Sequence, residues 1–176
     1  DVPRGLTLRK AWVNAIVDDA ITVATTGLAN NASVASTSTG NNTTTGTQVF
    51  NLAGGTVTLP AETFGPGSQS NYTTTVACTG ATPSSSTPGP STTFTMPDAD
   101  VVCTYTNTRA QRSLTLRKVW VNAIEGDHVD AATTGLANNA SVSSTADATG
   151  NNSTTGTPVS NVAGGTVTLP AESFTT

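Results

Sequence analysis

The two lysines of the chain are the residues best suited to covalent chemistry. Lys10 and Lys118 occupy the same position of an internal repeat, and each has a leucine two residues before it and a tryptophan two residues after it: Leu8 and Trp12, and Leu116 and Trp120. Residues two apart share a face of a β-strand, so the alternation predicts that both amines are buried. A buried ammonium without a partner is costly and should lose its proton or lose its charge by reaction, which makes the amine a potential nucleophile.

The two cysteines, Cys78 and Cys103, both lie in the first copy of the repeat, at positions that alternation assigns to the inward face of two strands. The sequence has no CxxC motif and no His/Cys cluster, which disfavours a metal site. We therefore predict a disulfide, which stabilises the domain by ~3 to 4 kcal/mol on the chain-entropy description and indicates an oxidising compartment. The alternative is a pair of buried free thiols in a cytosolic protein.

Period-two alternation and turn residues predict the strands that position these groups. The first strand places Leu6, Leu8, Lys10 and Trp12 on one face. Further strands are predicted at Thr56–Leu59, Asn71–Cys78, Thr92–Met96 and Val101–Thr108, the last with Val101, Cys103, Tyr105 and Asn107 on one side. Two segments rich in Ser, Thr, Asn, Gly and Pro, residues 36–47 and 81–91, are predicted as surface loops.

Composition predicts an all-β protein. Of the 176 residues, 35% are hydrophobic and 10% charged, with 16 Gly and 9 Pro. Thr, Val and Ala with frequent Gly and Pro suit short strands joined by turns, whereas the Leu, Glu, Lys and Gln that helices favour are scarce. The net charge of −4 and the absence of a basic cluster disfavour nucleic acid as a partner. No apolar run is long enough to span a membrane, and the N-terminus has no signal-peptide pattern.

Self-similarity indicates two copies of one domain-sized repeat. RGLTLRKAWVNAI at residues 4–16 returns as RSLTLRKVWVNAI at residues 112–124, and AGGTVTLPAETF at residues 53–64 returns as AGGTVTLPAESF at residues 163–174. We predict a complete β-sandwich at residues 1–111 and the N-terminal part of a second copy at residues 112–176. The second copy lacks the counterpart of residues 65–108, so we expect an excerpt of a longer array; the alternative is that a neighbouring molecule supplies the missing strands.

Three residues of the first copy carry a resemblance to a known family. A lysine on the first strand, Lys10 in LTLRKAW, a glutamate near a proline, Glu62 in LPAETFGPG, and an asparagine on the last strand, Asn107 in CTYTNTR, resemble the CnaB-type, prealbumin-like (SpaA-like) domains of bacterial surface proteins. The whole first copy also looks like the long repeats of giant bacterial surface proteins. The resemblance implies tandem Ig-like, prealbumin-like β-sandwich domains.

The same resemblance implies an autocatalytic isopeptide bond. Lys10 is then the nucleophile, Asn107 the electrophile that loses ammonia, and Glu62 the proton shuttle. In the second copy Lys118 and Glu172 hold the corresponding positions. Glu62 has the opposite parity to Val57 and Leu59, so it faces the core only if Pro60 bends the strand. The alternative is that Lys10 reaches the rim with its ammonium or forms a partly buried ion pair with Glu62.

Other polar residues give weaker signals. Sequons that are candidate glycosylation sites occur at Asn31, Asn41, Asn42, Asn71, Asn139, Asn151 and Asn152. The pairs Asp98 with Asp100 and Asp18 with Asp19 offer too few oxygens for calcium, so we interpret them as solvated turn acids. His128, the single histidine, is interpreted as a loop residue. We predict no metal, no cofactor and no enzymatic activity.

Together these features predict a structural repeat module of a secreted bacterial surface fibre, filament or adhesin stalk, stabilised by a disulfide and an isopeptide bond. The expected location is extracellular, on the bacterial cell surface. The expected partners are neighbouring repeats of the same chain or identical subunits of a filament, with no nucleic acid and no membrane span in this segment. The alternative function is a ligand-binding adhesin module for a glycan, a polymer or an ice surface.

Overall fold

The computed structural model describes residues 1–175 and confirms the predicted all-β fold. Within these residues the regular structure consists of strands and one short 3-10 turn at Gln69–Asn71, and there is no α-helix. No helix in this part of the chain therefore has the length and apolar character needed to cross a membrane. The chain divides into two compact units, Asp1–Ala110 and Gln111–Thr176, which are described separately below.

The first unit contains ten strands. In chain order they are β1 (Arg4–Val13), β2 (Ala20–Ala24), β3 (Ser33–Thr37), β4 (Asn42–Thr45), β5 (Val49–Asn51), β6 (Thr56–Thr58), β7 (Thr63–Phe64), β8 (Tyr72–Thr79), β9 (Thr93–Thr95) and β10 (Val101–Arg109). The main sheet has the order β4-β1-β10-β8, with β5 also paired to β1. The sheet β3-β2-β7 and the pair β6-β9 complete the sandwich.

The first and last strands of this unit lie side by side in parallel. The register pairs Leu6 with Val101 and continues without interruption to Val13 with Thr108. Strand β8 then runs antiparallel along the other edge of β10. A parallel neighbour so distant in sequence requires the whole intervening chain to cross over, so residues that act together at this ladder come from opposite ends of the unit.

The predicted inward faces of β1 and β10 are confirmed. The side chains assigned to the inward faces are all buried: Leu6, Leu8, Lys10 and Trp12 on β1, and Val101, Cys103, Tyr105 and Asn107 on β10. They pack against apolar residues of the opposite layer, among them Ile21, Val34 and Val57. An amine and a carboxamide therefore lie among apolar side chains on the inner faces of these two strands.

The prediction of a loop over residues 36–47 is wrong in part. Strand β3 extends to Thr37, and residues 42–45 form β4 at the edge of the main sheet, paired with β1. Threonine is β-branched and fits a pleated surface, whereas the predicted loop rested on the polarity of the segment. An edge strand with solvent on one side does not need the apolar alternation that the sequence prediction required.

The second unit is also all-β. Its strands are β11 (Gln111–Leu114), β12 (Arg117–Val119), β13 (His128–Ala132), β14 (Ser141–Thr145), β15 (Ser153–Thr155), β16 (Val159–Val162) and β17 (Ser173–Thr175). They form the pairs β11-β16 and β12-β15 and the sheet β14-β13-β17. Two short strands, β11 and β12, replace the long first strand of the other unit, although LTLRK is common to both sequences.

Candidate functional site

The site is built where β1 and β10 run side by side. Lys10 pairs in register with Tyr105, and Trp12 pairs with Asn107. Paired residues of neighbouring strands point to the same face, so Lys10 and Asn107 lie two positions apart on the inner face of the sheet. Both are fully buried. The parallel ladder thus brings an amine from near the start of the unit close to a carboxamide from its end.

Glu62 reaches the same place because the chain leaves the strand before it. Strand β6 ends at Thr58, and residues 59–62 have no regular structure, so the strand parity that assigned Glu62 to the outer face does not extend to it. The phenol of Tyr105 donates a hydrogen bond to the carbonyl of Pro60 at 2.9 Å. This contact attaches the segment to β10, and the Glu62 side chain is completely buried.

The carboxylate of Glu62 bridges the other two groups. Lys10 Nζ donates to Oε1 at 2.5 Å, and Asn107 Nδ2 donates to Oε2 at 2.8 Å. The carbonyl end of the carboxamide also has a partner, because Thr74 Oγ1 donates to Asn107 Oδ1 at 2.6 Å. Each polar group of this cluster is therefore hydrogen-bonded, as the burial of polar groups requires.

Burial lowers the pKa of Lys10 from 10.5 to about 8, because desolvation of the ammonium outweighs its attraction to Glu62 and the hydrogen bond between them. The ring of Trp12 also lies 4.6 Å from Nζ and favours the cation weakly. The attraction to Glu62, the hydrogen bond to Glu62 and the Trp12 ring all oppose deprotonation of Lys10. Because the pKa nevertheless falls, desolvation of the ammonium is the dominant effect. A larger fraction of Lys10 is therefore in the neutral, nucleophilic form than of a solvated lysine at the same pH.

The arrangement contains the parts of an acyl transfer. A carboxylate that contacts both an amine and a carboxamide can accept a proton from the first and deliver one to the second. A hydroxyl that donates to the carbonyl oxygen withdraws electron density from the carbonyl carbon and stabilises negative charge that develops on that oxygen. The predicted residues Lys10, Glu62 and Asn107 are thus brought together in one buried cluster.

Sequence reasoning gave no role to two residues of this site. Thr74 pairs in register with Asn107 across β8 and β10, and its hydroxyl contacts the carboxamide. Its inward parity on the predicted strand was the available signal, since a polar residue between Tyr72 and Val76 on a core face needs a partner. Tyr105 holds the Glu62 segment; burial, followed by the charge of Glu62, raises the pKa of its phenol and keeps it a donor.

The predicted disulfide is confirmed. Cys78 of β8 and Cys103 of β10 are bonded and stand opposite each other in the antiparallel register. Because β10 is also paired with β1, the disulfide fixes a third strand to the ladder that carries the site. It lies four residues along β10 from Asn107 and on the same face.

The second unit has a related but more open pair. Lys118 Nζ contacts both carboxylate oxygens of Glu172, at 2.8 and 2.7 Å, and lies 4.5 Å from the ring of Trp120. The side chains are 15% and 36% exposed, whereas those of Lys10 and Glu62 are completely buried. Glu62 divides its two oxygens between an amine and a carboxamide, but Glu172 gives both to the lysine.

The other predicted residues lie apart from this site. The sequon asparagines Asn31, Asn41, Asn139 and Asn151 are exposed, and Asn42, Asn71 and Asn152 are half-buried. Asp98 forms an exposed ion pair with Arg4, and the Asp100 carboxylate accepts a hydrogen bond from the backbone of Gly5. Within residues 1–175 no three His, Cys, Asp or Glu side chains gather in a way that holds a metal ion.

Two of the weaker interpretations are wrong. Asp19 is buried, not a solvated turn acid, and accepts a hydrogen bond from the phenol of Tyr72 at 2.6 Å. His128 begins strand β13 instead of lying in a loop, and its ring contacts Thr145 and Ser143 of the adjacent strand. In both cases a long-range partner, which the local sequence does not reveal, decides the environment of the side chain.

Comparison with known proteins gives no relative: no family model, no curated protein and no solved structure matches the chain. The resemblance to CnaB-type domains therefore stays a prediction from the sequence.

Proposed function

We propose that the chain is a structural repeat module of a secreted bacterial surface fibre or stalk, and that its first unit is closed by an amide bond between Lys10 and Asn107. The observation that carries the proposal is the buried Glu62 carboxylate, which contacts Lys10 at 2.5 Å and Asn107 at 2.8 Å. The Cys78–Cys103 disulfide supports export, because such bonds persist in oxidising compartments. The bacterial surface as location follows from the resemblance to CnaB-type domains.

The reaction proceeds in balanced steps from the observed ion pair. Glu62 takes a proton from the Lys10 ammonium, and the neutral Nζ attacks Cγ of Asn107, whose oxygen is held by Thr74. Glu62 then gives its proton to Nδ2 and accepts the second proton released by Nζ. The Cγ–Nδ2 bond breaks, ammonia leaves, and a secondary amide joins residues 10 and 107. No oxidant, metal or cofactor takes part, and each unit reacts once.

The position of this amide suits a protein that bears tension. Residue 10 lies near the end of β1 and residue 107 near the end of β10, and these are the first and last strands of the unit. A pulling force that enters at the N-terminus of the unit and leaves at its C-terminus passes through the amide. The 96 residues between the linked positions, which include the sandwich layers, are bypassed. The disulfide lies inside that protected segment.

Intact-mass measurement tests the proposal directly. We expect the measured mass of the wild-type chain under reducing conditions to be lower than the mass calculated from its sequence by one ammonia. Without reductant the mass should be lower by two further hydrogens, because the disulfide is then intact. In Lys10→Ala and Asn107→Ala the ammonia deficit disappears. The matched control is Lys118→Ala, which changes the equivalent lysine of the second unit and leaves the deficit unchanged. A wild-type chain whose reduced mass equals the mass calculated from its sequence contradicts the amide. If the deficit is present, peptide mapping after proteolysis locates the linkage.

A further inference from the structure

The hydroxyl of Thr74 is the one group of the buried cluster that can turn toward solvent. A threonine hydroxyl rotates about its C–O bond, and it has a single proton to donate and two lone pairs that accept. Thr74 Oγ1 donates to Asn107 Oδ1 at 2.6 Å, yet Thr74 is only half-buried. A surface cavity of about 310 Å³ adjoins it, lined by Ala61, Glu62, Gln69, Thr74, Thr87 and Pro88. Water in this cavity can compete for the hydroxyl proton.

Gln69 contacts the same hydroxyl oxygen from the wall of the cavity. Its Nε2 donates to Thr74 Oγ1 at 2.8 Å. Gln69 begins the 3-10 turn Gln69–Asn71 directly before β8, and the side chain of Ser68 caps this turn. The backbone N–H of Tyr72 donates to the carbonyl of Gln69 at the other end of the turn. The turn therefore holds the Gln69 carboxamide over the start of β8, within reach of Thr74.

The hydrogen-bond partners decide which atom of each carboxamide faces which group. The Glu62 carboxylate, which is ion-paired with Lys10, only accepts, so it takes a hydrogen bond from Asn107 Nδ2. The other end of the Asn107 carboxamide, Oδ1, also only accepts, so Thr74 must donate its proton to it. Thr74 Oγ1 then offers Gln69 a lone pair alone, and the Gln69 atom that faces it is the donor Nε2. The directions of these three hydrogen bonds are therefore coupled.

We propose that Gln69 is a positioning residue for the amide bond, and that it acts through Thr74 by keeping the hydroxyl proton on Asn107 Oδ1. This inference rests on the proposed function of the first unit. When Lys10 Nζ attacks Cγ of Asn107, negative charge develops on Oδ1, and the Thr74 hydroxyl stabilises that charge. Gln69 prevents the proton from turning to the cavity, because a donor already occupies that side of the oxygen. Its donation also polarises the hydroxyl and strengthens the bond to Oδ1.

Donor and acceptor substitutions at position 69 should have opposite results. The carboxylate of Gln69→Glu can only accept, so it draws the Thr74 proton away from Asn107. We expect amide formation to slow by about 100-fold, as it does in Thr74→Val, because each removes a donor to the developing oxyanion. The ammonium of Gln69→Lys can only donate and keeps the wild-type rate. Thr74→Ser retains the hydroxyl and also keeps the rate, whereas Gln69→Ala gives an intermediate rate.

The rate is measured on the full chain. The chain is prepared unfolded in guanidinium chloride from insoluble expression, its disulfide is formed there, and folding is started by dilution at pH 6. Lys10 has a pKa of about 8, so only about one hundredth of its amine is neutral at this pH, and the chemical step is slow. Samples taken over time are reduced and weighed, and the fraction that has lost one ammonia gives the rate. Tryptophan fluorescence reports the completion of folding.

A charge at position 69 can also act on Lys10 through space, and the Thr74→Val background isolates that effect. If Gln69 acts through the hydroxyl, Gln69→Glu slows the Thr74→Val chain far less than it slows the wild type. The matched control is Gln111→Glu, which makes the same charge change at an exposed glutamine of the second unit and leaves the rate unchanged. Equal effects of Gln69→Glu in the two backgrounds overturn the positioning role, as does a Gln69→Glu chain that reacts at the wild-type rate.

A second measurement does not depend on the reaction. In a Lys10→Met chain no amide can form, and the carbon-13 resonance of Asn107 Cγ reports the hydrogen bond to Oδ1. We expect Gln69→Glu to move this resonance to its position in Thr74→Val, and Gln69→Lys to leave it in place. If Lys10→Met does not fold, the fully reacted chain serves instead, since Cγ keeps Oδ1 after ammonia has left. A resonance that Gln69→Glu does not move refutes the coupling of the hydrogen bonds.

The positioning role and the amide fail in different ways. A chain that loses ammonia at a rate independent of residue 69 refutes the positioning role and leaves the amide standing. A wild-type chain that never loses ammonia, but whose Asn107 resonance responds to Gln69→Glu, refutes the amide and leaves only the coupled hydrogen bonds.

Discussion

The ion pair between Lys10 and Glu62 gives the sharpest prediction for stability. In an Asn107→Ala background, where no amide can form, the further change Glu62→Gln leaves a completely buried lysine without its counter-ion. Removing one partner of a buried ion pair costs about 3 to 5 kcal/mol. With a urea m-value of about 2 kcal/mol per molar, the unfolding midpoint of the first unit falls by about 2 M.

The second unit supplies the matched control. Lys118 and Glu172 are 15% and 36% exposed, so solvent screens their attraction and Glu172→Gln costs about 1 kcal/mol or less. Each unit has one tryptophan in contact with its lysine, which allows them to be followed separately. Fluorescence during urea unfolding reports the first unit in Trp120→Phe chains and the second unit in Trp12→Phe chains.

The cost of Glu62→Gln depends on pH. Lys10 has a pKa of 10.5 when unfolded, and burial lowers it to about 8 even with Glu62 present; without the attraction of Glu62 it falls further. Between the folded and unfolded values the unfolded chain binds more protons, so stability rises with pH. The deficit of the variant therefore shrinks as pH is raised toward about 8, because the variant gains stability there while Lys10 beside Glu62 still holds its proton. From about 8 to about 10 both proteins gain stability equally, so the deficit stays constant.

Two results refute this reasoning. Equal small shifts for Glu62→Gln and Glu172→Gln show that Lys10 reaches solvent and does not depend on the carboxylate. A deficit that grows with pH shows that the folded variant holds the Lys10 proton more tightly than the folded parent does, which is opposite to the effect of removing a counter-ion.

Two further predictions concern the supports of the site. Replacing both Cys78 and Cys103 by alanine removes a cross-link between residues 25 positions apart and lowers the free energy of unfolding by about 3.5 kcal/mol. Urea unfolding measures this loss. If reduction of the wild-type chain does not produce the same loss, the explanation by chain entropy is contradicted. Tyr72→Phe removes the donor to the buried Asp19 carboxylate and the acceptor of the Ile16 N–H, at a cost of about 1 to 3 kcal/mol. The same assay measures it, and an unchanged midpoint shows that water replaces the phenol.

The parts of the fold that follow from local alternation were predicted from the sequence. The inward faces of β1 and β10 were read correctly because their apolar residues recur every second position. Strand β4 was not predicted, since it is an edge strand of polar residues and its partners on β1 are 30 to 36 positions away in sequence. The disulfide was predictable because two cysteines allow one pairing.

The placement of Glu62 shows the limit of that approach. Counting from Val57 and Leu59 put Glu62 on the outer face, whereas the chain leaves the strand after Thr58 and the Tyr105 phenol holds Pro60. Parity applies within a strand, and where the strand ends is decided by contacts with distant residues. The contribution of Thr74 was missed for a related reason. The register of β8 against β10, which places the Thr74 hydroxyl at Asn107, cannot be determined from the local sequence.

The amino-acid sequence by itself determined the strand faces, the duplication and the identity of the reactive groups, because side-chain alternation, self-similarity and functional groups are local properties of the chain. The tertiary structure decided which groups contact one another and how far they are excluded from solvent. The identical LTLRK and TVTLPAE segments give a completely buried lysine in one unit and a partly exposed one in the other. Desolvation depends on the strands that cover a segment, and those strands are remote in sequence from the segment they cover.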